Sequence, residues 1–168
     1  MARTGRTVRE GIVVGLVGFA AVAVFYTLFD LLAGQAFGFT LNLMGKVVVR
    51  GVRDPAILVL PIPPDRVAMA TYNLLHLVVS LGVGLFVAWL VDLVEENPAR
   101  GWAALTVMVV GYVATVAAVG LFARDVAPLL PLWTVVTVNT LAAVGGGIYL
   151  WTAHPGLWRR VRGGGHPA

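Results

Sequence analysis

The sequence predicts an all-α membrane protein: four transmembrane helices in an antiparallel up-down bundle, with an interfacial amphipathic helix in the first loop. Three observations lead there. Four apolar runs, at about 11–33, 67–91, 101–123 and 132–153, are long enough to cross a bilayer, and only Asp30 interrupts them with a charge. Apolar residues make up 59% of the chain and charged ones 12%, about half the share usual in a soluble domain, and mean hydropathy is +0.89. Arginines, prolines and tryptophans gather at the ends of the runs, where topology signals and interfacial anchors belong.

The stretch from Val67 to Val91 is the one around which the rest is expected to pack. Its twenty-five residues carry no formal charge between Arg66 and Asp92. As a helix it is roughly 37 Å long, enough for a hydrocarbon core of about 30 Å with some tilt. Tyr72, Asn73, His76 and Ser80 follow spacings close to three and four and share a polar stripe. Polar side chains in an apolar span need partners, so the stripe is expected to face protein.

The first run begins after Arg3, Arg6, Arg9 and Glu10 and continues to Gly34. A signal peptide is the competing reading, because Ala21-Val22-Ala23 follows a short apolar stretch. The run continues well past that site, which suits a retained span. Gly11, Gly15, Gly18 and Ala21 offer a small-residue face for close helix packing, as do Ser80, Gly84 and Ala88 in the second span.

The connection 35–66 holds the amphipathic segment, about 40–53. Thr40 can cap it, and Asn42, Lys46, Arg50 and Arg53 recur at spacings of four, four and three. Leu41, Met44, Val48 and Val52 form the opposite stripe. Cations on one side and aliphatics on the other suit a helix lying in the interface, with the four polar residues toward water or headgroups. Asp54-Pro55 ends it, and Pro61, Pro63 and Pro64 force an extended approach to the second span. Trp102 opens the third span, and Trp133 and Trp151 bracket the fourth. His154-Pro155-Gly156 stops the fourth span. Trp158, Arg159, Arg160 and Arg162 follow as a basic interfacial anchor, and a glycine-rich tail over 163–168 is expected to be disordered. Residues 1–162 thus read as one membrane domain.

Four spans place both ends of the chain on one side. Seven cations (Arg3, Arg6, Arg9, Arg100, Arg159, Arg160, Arg162) stand there against five (Lys46, Arg50, Arg53, Arg66, Arg124) on the other, which favours both termini in the cytoplasm. The acidic turn of Asp92, Glu95 and Glu96 reads as solvated. With no cysteine, disulfides, thiolate metal sites and thiol nucleophiles are excluded. The net charge of +4 is dispersed, which suits topology and anionic lipid rather than nucleic acid. Eleven arginines against one lysine, with many Ala, Gly and Val, suit the coding bias expected of a GC-rich bacterial genome.

Catalytic motifs are absent from the sequence: no serine lies in a Gly-x-Ser-x-Gly setting, and no His-Glu-x-x-His occurs. No enzyme and no metal are expected. The antiparallel arrangement lets Asp30 and His76 converge, with Tyr26 one turn deeper and Asn139 in the fourth span facing the same interior. Two readings stand. These residues form an interhelical polar cluster that fixes packing at about 1 kcal/mol per contact. Alternatively His76 is a proton carrier or a ligand oriented by Asp30, and holds a haem or pigment.

The order of these features resembles a family of uncharacterised four-span membrane proteins from GC-rich bacteria. It rests on Tyr26-Thr-Leu-Phe-Asp30, Phe39-Thr40, Tyr72-Asn-Leu-Leu-His76 and Tyr149-Leu-Trp-Thr-Ala-His154-Pro155, over about residues 11–160. Leu41 replaces the more usual proline after the loop-helix threonine, and the insert around 45–64 is unusually long. The resemblance implies architecture and a place in the cell envelope, and no activity. The expected role is a structural or accessory subunit of an inner-membrane assembly, in contact with lipid and with other membrane subunits or further copies of itself. A haem- or pigment-binding redox subunit is the alternative, and a small-solute or proton transporter the third; paired charges, broken helices and repeats that would favour the third are missing.

Overall fold

The computed structural model describes residues 2–52 and 61–157. Five helices account for most of them: α1 (Ala2–Leu32), α2 (Phe39–Val49), α3 (Arg66–Glu96), α4 (Gly101–Phe122) and α5 (Leu132–Ala153). Two short 3-10 turns, Pro98–Arg100 and Arg124–Val126, link α3 to α4 and α4 to α5. There is no strand among the described residues. Four of the helices are long and apolar enough to cross a membrane, and α2 is not.

Two of the four spans continue past their apolar runs. The first, expected over 11–33, starts at Ala2, and the second, expected over 67–91, reaches Glu96. At 31 residues each, these helices are roughly 46 Å long, well beyond a hydrocarbon core of about 30 Å. The extra turns are the charged ones. The helical period runs on through Arg3, Arg6 and Glu10 at one end and Asp92, Glu95 and Glu96 at the other, with no proline or glycine pair to stop it until Asn97-Pro98. The third and fourth spans lie within one residue of expectation.

Helix α1 is the centre of the bundle, between α3 and α5. Its contact with α3 is backbone on backbone. A Cβ on Gly84 would lie 2.2 Å from the Gly11 oxygen and 2.4 Å from the Gly15 nitrogen, and one on Gly15 would lie 2.7 Å from the Leu81 Cα. The small residues seen in the sequence meet across this seam. On the other side of α1, Gly145 and Gly146 of α5 admit the methyls of Val17 and Val14. Helix α4 packs sparingly. Ala104 is its one buried residue, and its Tyr112 hydroxyl meets Thr140 Oγ1 of α5 at 2.8 Å.

Helix α2 departs from the expected loop helix in its bounds and in the faces it buries. It is shorter than 40–53, ending at Val49, with Gly51 at φ 67 beyond it. It is also buried on most sides: Leu43 and Val47 are 0% and 2% exposed. They join Val126, Leu130 and Val135 in an apolar cluster that closes one end of the bundle. Gly45 lets α2 approach the α3 backbone at Ala68. Asn42, expected toward water, is buried, while Val48, expected toward the apolar side, is exposed. The reason is hydrogen bonding. The Asn42 amide donates to the Pro63 carbonyl (3.2 Å) and accepts from the Asp65 N–H (2.9 Å), tying the extended proline segment to α2. Lys46 is half-buried and Arg50 exposed; Arg53 lies outside the described residues.

Candidate functional site

Polar chemistry concentrates at the two ends of the bundle. At the end where α1 begins, here the clasped end, three helix termini meet. Arginines in the first turns of α1 face its positive pole, and carboxylates in the last turn of α3 face its negative pole, each an unfavourable placement by itself. Antiparallel packing of α1 on α3 puts each set in reach of the other. Arg3 Nε lies 2.8 Å from Asp92 Oδ1, its Nη2 donates to the Asp92 carbonyl at 2.8 Å, and its Nη1 lies 3.0 Å from Glu96 Oε1. Arg6 donates to Asp92 (3.2 Å) and to Glu95, with Glu10 at 3.9 Å.

His154, the residue that ends α5, completes the cluster. Its Nδ1 is 2.6 Å from Glu95 Oε1 and its Nε2 is 3.1 Å from Glu10 Oε2. Both His154 and Glu10 are buried, at 4% and 5% exposure. One imidazole therefore joins α1, α3 and α5. None of Glu10, Glu95 and His154 stands out as functional in the sequence, where the acidic turn reads as solvated and the histidine as a helix stop. Their separations, 144 and 59 residues, hide the contact. The signal that could have found it is the pairing of wrongly placed charges on helix ends that an antiparallel bundle must bring together.

At the opposite, capped end the polar residues serve helix starts. Asp30, 1% exposed, accepts the Thr40 N–H at 2.9 Å on one oxygen and the Thr40 hydroxyl at 2.5 Å on the other. The residue before α2 is Gly38, a glycine at φ 74 in the N-cap position that cannot cap with a side chain, so a carboxylate from α1 takes over that task. Asp65 caps α3 by accepting from the Ala68 N–H at 2.9 Å and is held by Arg50 at 2.9 Å. The Arg50 bond, followed by the Ala68 N–H, lowers the Asp65 carboxyl to about 2, and the same bond raises the Arg50 guanidinium.

The structure distributes the expected polar cluster instead of assembling it. Tyr72 stacks on His76 with ring centroids 6.2 Å apart, and Phe19 of α1 lies 5.3 Å from the His76 ring. Both Asp30 oxygens belong to Thr40. Tyr26 reaches the Thr134 hydroxyl at 3.4 Å, and Asn139 donates to the Val135 carbonyl of its own helix at 2.8 Å. Asn73 is exposed, contrary to the expectation that the whole stripe faces protein. Trp102, Trp133 and Trp151 are exposed at helix ends, as interfacial anchors are. Trp158, Arg159, Arg160 and Arg162 lie outside the described residues, as does the 163–168 tail. Among the described residues no group of three or more His, Cys, Asp or Glu is placed to hold a metal ion.

Compared with protein-family models, with curated proteins and with solved structures, the chain matches none. Function therefore rests on this geometry. Charged side chains at the clasped end bond to one another, and at the capped end they serve helix termini. Both arrangements fix helix positions.

Proposed function

We propose that this chain is a structural or accessory subunit of an assembly in the bacterial inner membrane, with both termini in the cytoplasm and the 35–66 connection outside. The observation that carries the reading is the state of α4. A helix of 22 residues with high hydropathy buries only Ala104 against its own chain, with Met108, Tyr112, Val116 and Val119 half-buried along the same stripe, so the rest of its circumference is offered to neighbours. The charged residues Asp30, Asp65, Glu10, Glu95 and His154 are engaged in fastening helices, which supports a scaffold over a catalyst. The resemblance to uncharacterised four-span envelope proteins of GC-rich bacteria belongs to the same proposal.

The test is native mass spectrometry after gentle extraction into lipid nanodiscs, with a photo-crosslinker at Val113 on α4. A stoichiometric companion, either a second copy or another membrane subunit, crosslinked through Val113 is the expected result. A bare monomer with no crosslink would overturn the proposal. An absorption spectrum of the same sample guards the alternative: a Soret or pigment band that His76→Gln removes would replace the scaffold by a cofactor-binding subunit. Reporter fusions at residue 60 and at the C-terminus are expected on opposite sides, and the same side for both would refute the topology.

A further inference from the structure

At the clasped end a buried imidazole has a carboxylate oxygen at each ring nitrogen, 2.6 Å and 3.1 Å away. A carboxylate only accepts, and a neutral imidazole donates from one nitrogen. Two bonds of this length therefore require one proton more than a neutral ring and two carboxylates hold. The surroundings have room for that charge. From α1 come Arg3, Arg6 and Glu10, and from α3 come Asp92, Glu95 and Glu96. Four carboxylates against two guanidiniums leave the cluster two charges negative without the extra proton and one charge negative with it.

We propose that Glu10, His154 and Glu95 form a proton-binding site that holds one proton as an imidazolium between two carboxylates, and that this proton fastens the end of α5 to α1 and α3. The proposal goes beyond the scaffold role, because it gives the scaffold a ligand. When the proton leaves, one ring nitrogen presents a lone pair to a carboxylate in a buried setting. Such an unmade bond costs more than its formation contributes, so the ring is driven out. His154 also ends α5 through its own backbone: its N–H donates to the Leu150 carbonyl at 3.0 Å, and its carbonyl accepts from the Leu157 N–H at 3.1 Å. Displacing the ring therefore moves the last turn of α5 and the chain that follows it.

The experiment uses the full chain in lipid nanodiscs. The absence of native cysteine allows a single spin label at Ala153→Cys, an exposed position at the end of α5. Nitrogen-15 NMR of the histidines, assigned with His154→Gln, reads the ring state over the same pH series. The expected result is a doubly protonated His154 wherever the label is ordered, and a step to a mobile label as the ring loses a proton on raising the pH. His154→Gln is expected to abolish the step. Glu10→Gln offers an amide that can donate to the bare ring nitrogen, so it too is expected to abolish the step while keeping the helix end in place; it decides the matter if His154→Gln fails to fold. A neutral His154 ring beside an ordered label, or a step of undiminished size in Glu10→Gln, would overturn the proposal.

Discussion

The clasped end joins α1, α3 and α5 through charged side chains, whereas the capped end joins α2 to α1, α3 and α5 through apolar packing around Leu43 and Val47, with a buried carboxylate serving one helix start. The difference follows from where each end stands. Helices α1 and α3 exceed a hydrocarbon core of about 30 Å by roughly 16 Å, and their charged turns lie outside the apolar runs, where the outer arginines and carboxylates stay partly exposed and cost less to desolvate. Asp30 has no such refuge. It lies at the negative end of α1, but the two donors of Thr40 and the positive end of α2 compensate it. Many charges can share one end when they pair with each other; a single buried charge needs the backbone of another helix.

The seam between α1 and α3 supports both ends, so breaking it is expected to have the largest effect. Gly84→Leu drives a side chain into the α1 backbone at Gly11 and Gly15 and is expected to cost upwards of about 3 kcal/mol, with loss of folded protein in detergent melts. Gly82→Ala, on the same helix but with nothing within 4 Å, is the control and is expected to melt as the parent does or slightly higher. If the two variants melt alike, the seam is not what holds the ends in register.

Asp30→Ala attacks the capped end alone. It removes two charge-assisted hydrogen bonds and is expected to cost about 2–4 kcal/mol, with faster hydrogen exchange over 38–47 and none over 92–97. Arg3→Gln attacks the exposed rim of the clasped end, where solvent screens the pairs; its small loss in a thermal melt is expected to shrink further in high salt.

The smallest effect belongs to Asp65, and it appears only in acid. A carboxyl held at about 2 when folded and near 3.8 when free favours the folded state fully above the free value, and loses that contribution as pH falls from about 4 to about 2. NMR titration of Asp65 is expected to show the low value, and Arg50→Gln to raise it. A value unmoved by that substitution would show that Arg50 is not the main cause.

The spans and the seam between α1 and α3 were legible in the sequence, and the polar contacts at either end were not. Apolar run length placed four spans, and the glycines at 11, 15 and 84 announced the seam, because both signals are local and periodic. Asn42 was misplaced by the same reasoning, since spacing from Lys46 and Arg50 sets a face but says nothing of the Pro63 carbonyl that pulls the side chain inward. Thr40 was expected to cap α2; its cap comes from Asp30, ten residues earlier, because the glycine before α2 has no side chain. Glu10, Glu95 and His154 were invisible as a unit. Each lies just outside an apolar run, where charge is ordinary, and only the antiparallel fold makes them neighbours.

The two ends are thus fastened independently, by different physics. Hydrogen exchange of Glu95→Gln in lipid nanodiscs tests this most directly, because Glu95 links both Arg6 and His154. Faster exchange is expected over 92–97 and 152–157, with the 39–47 segment unchanged from the parent protein. Equal acceleration at 39–47 would contradict it.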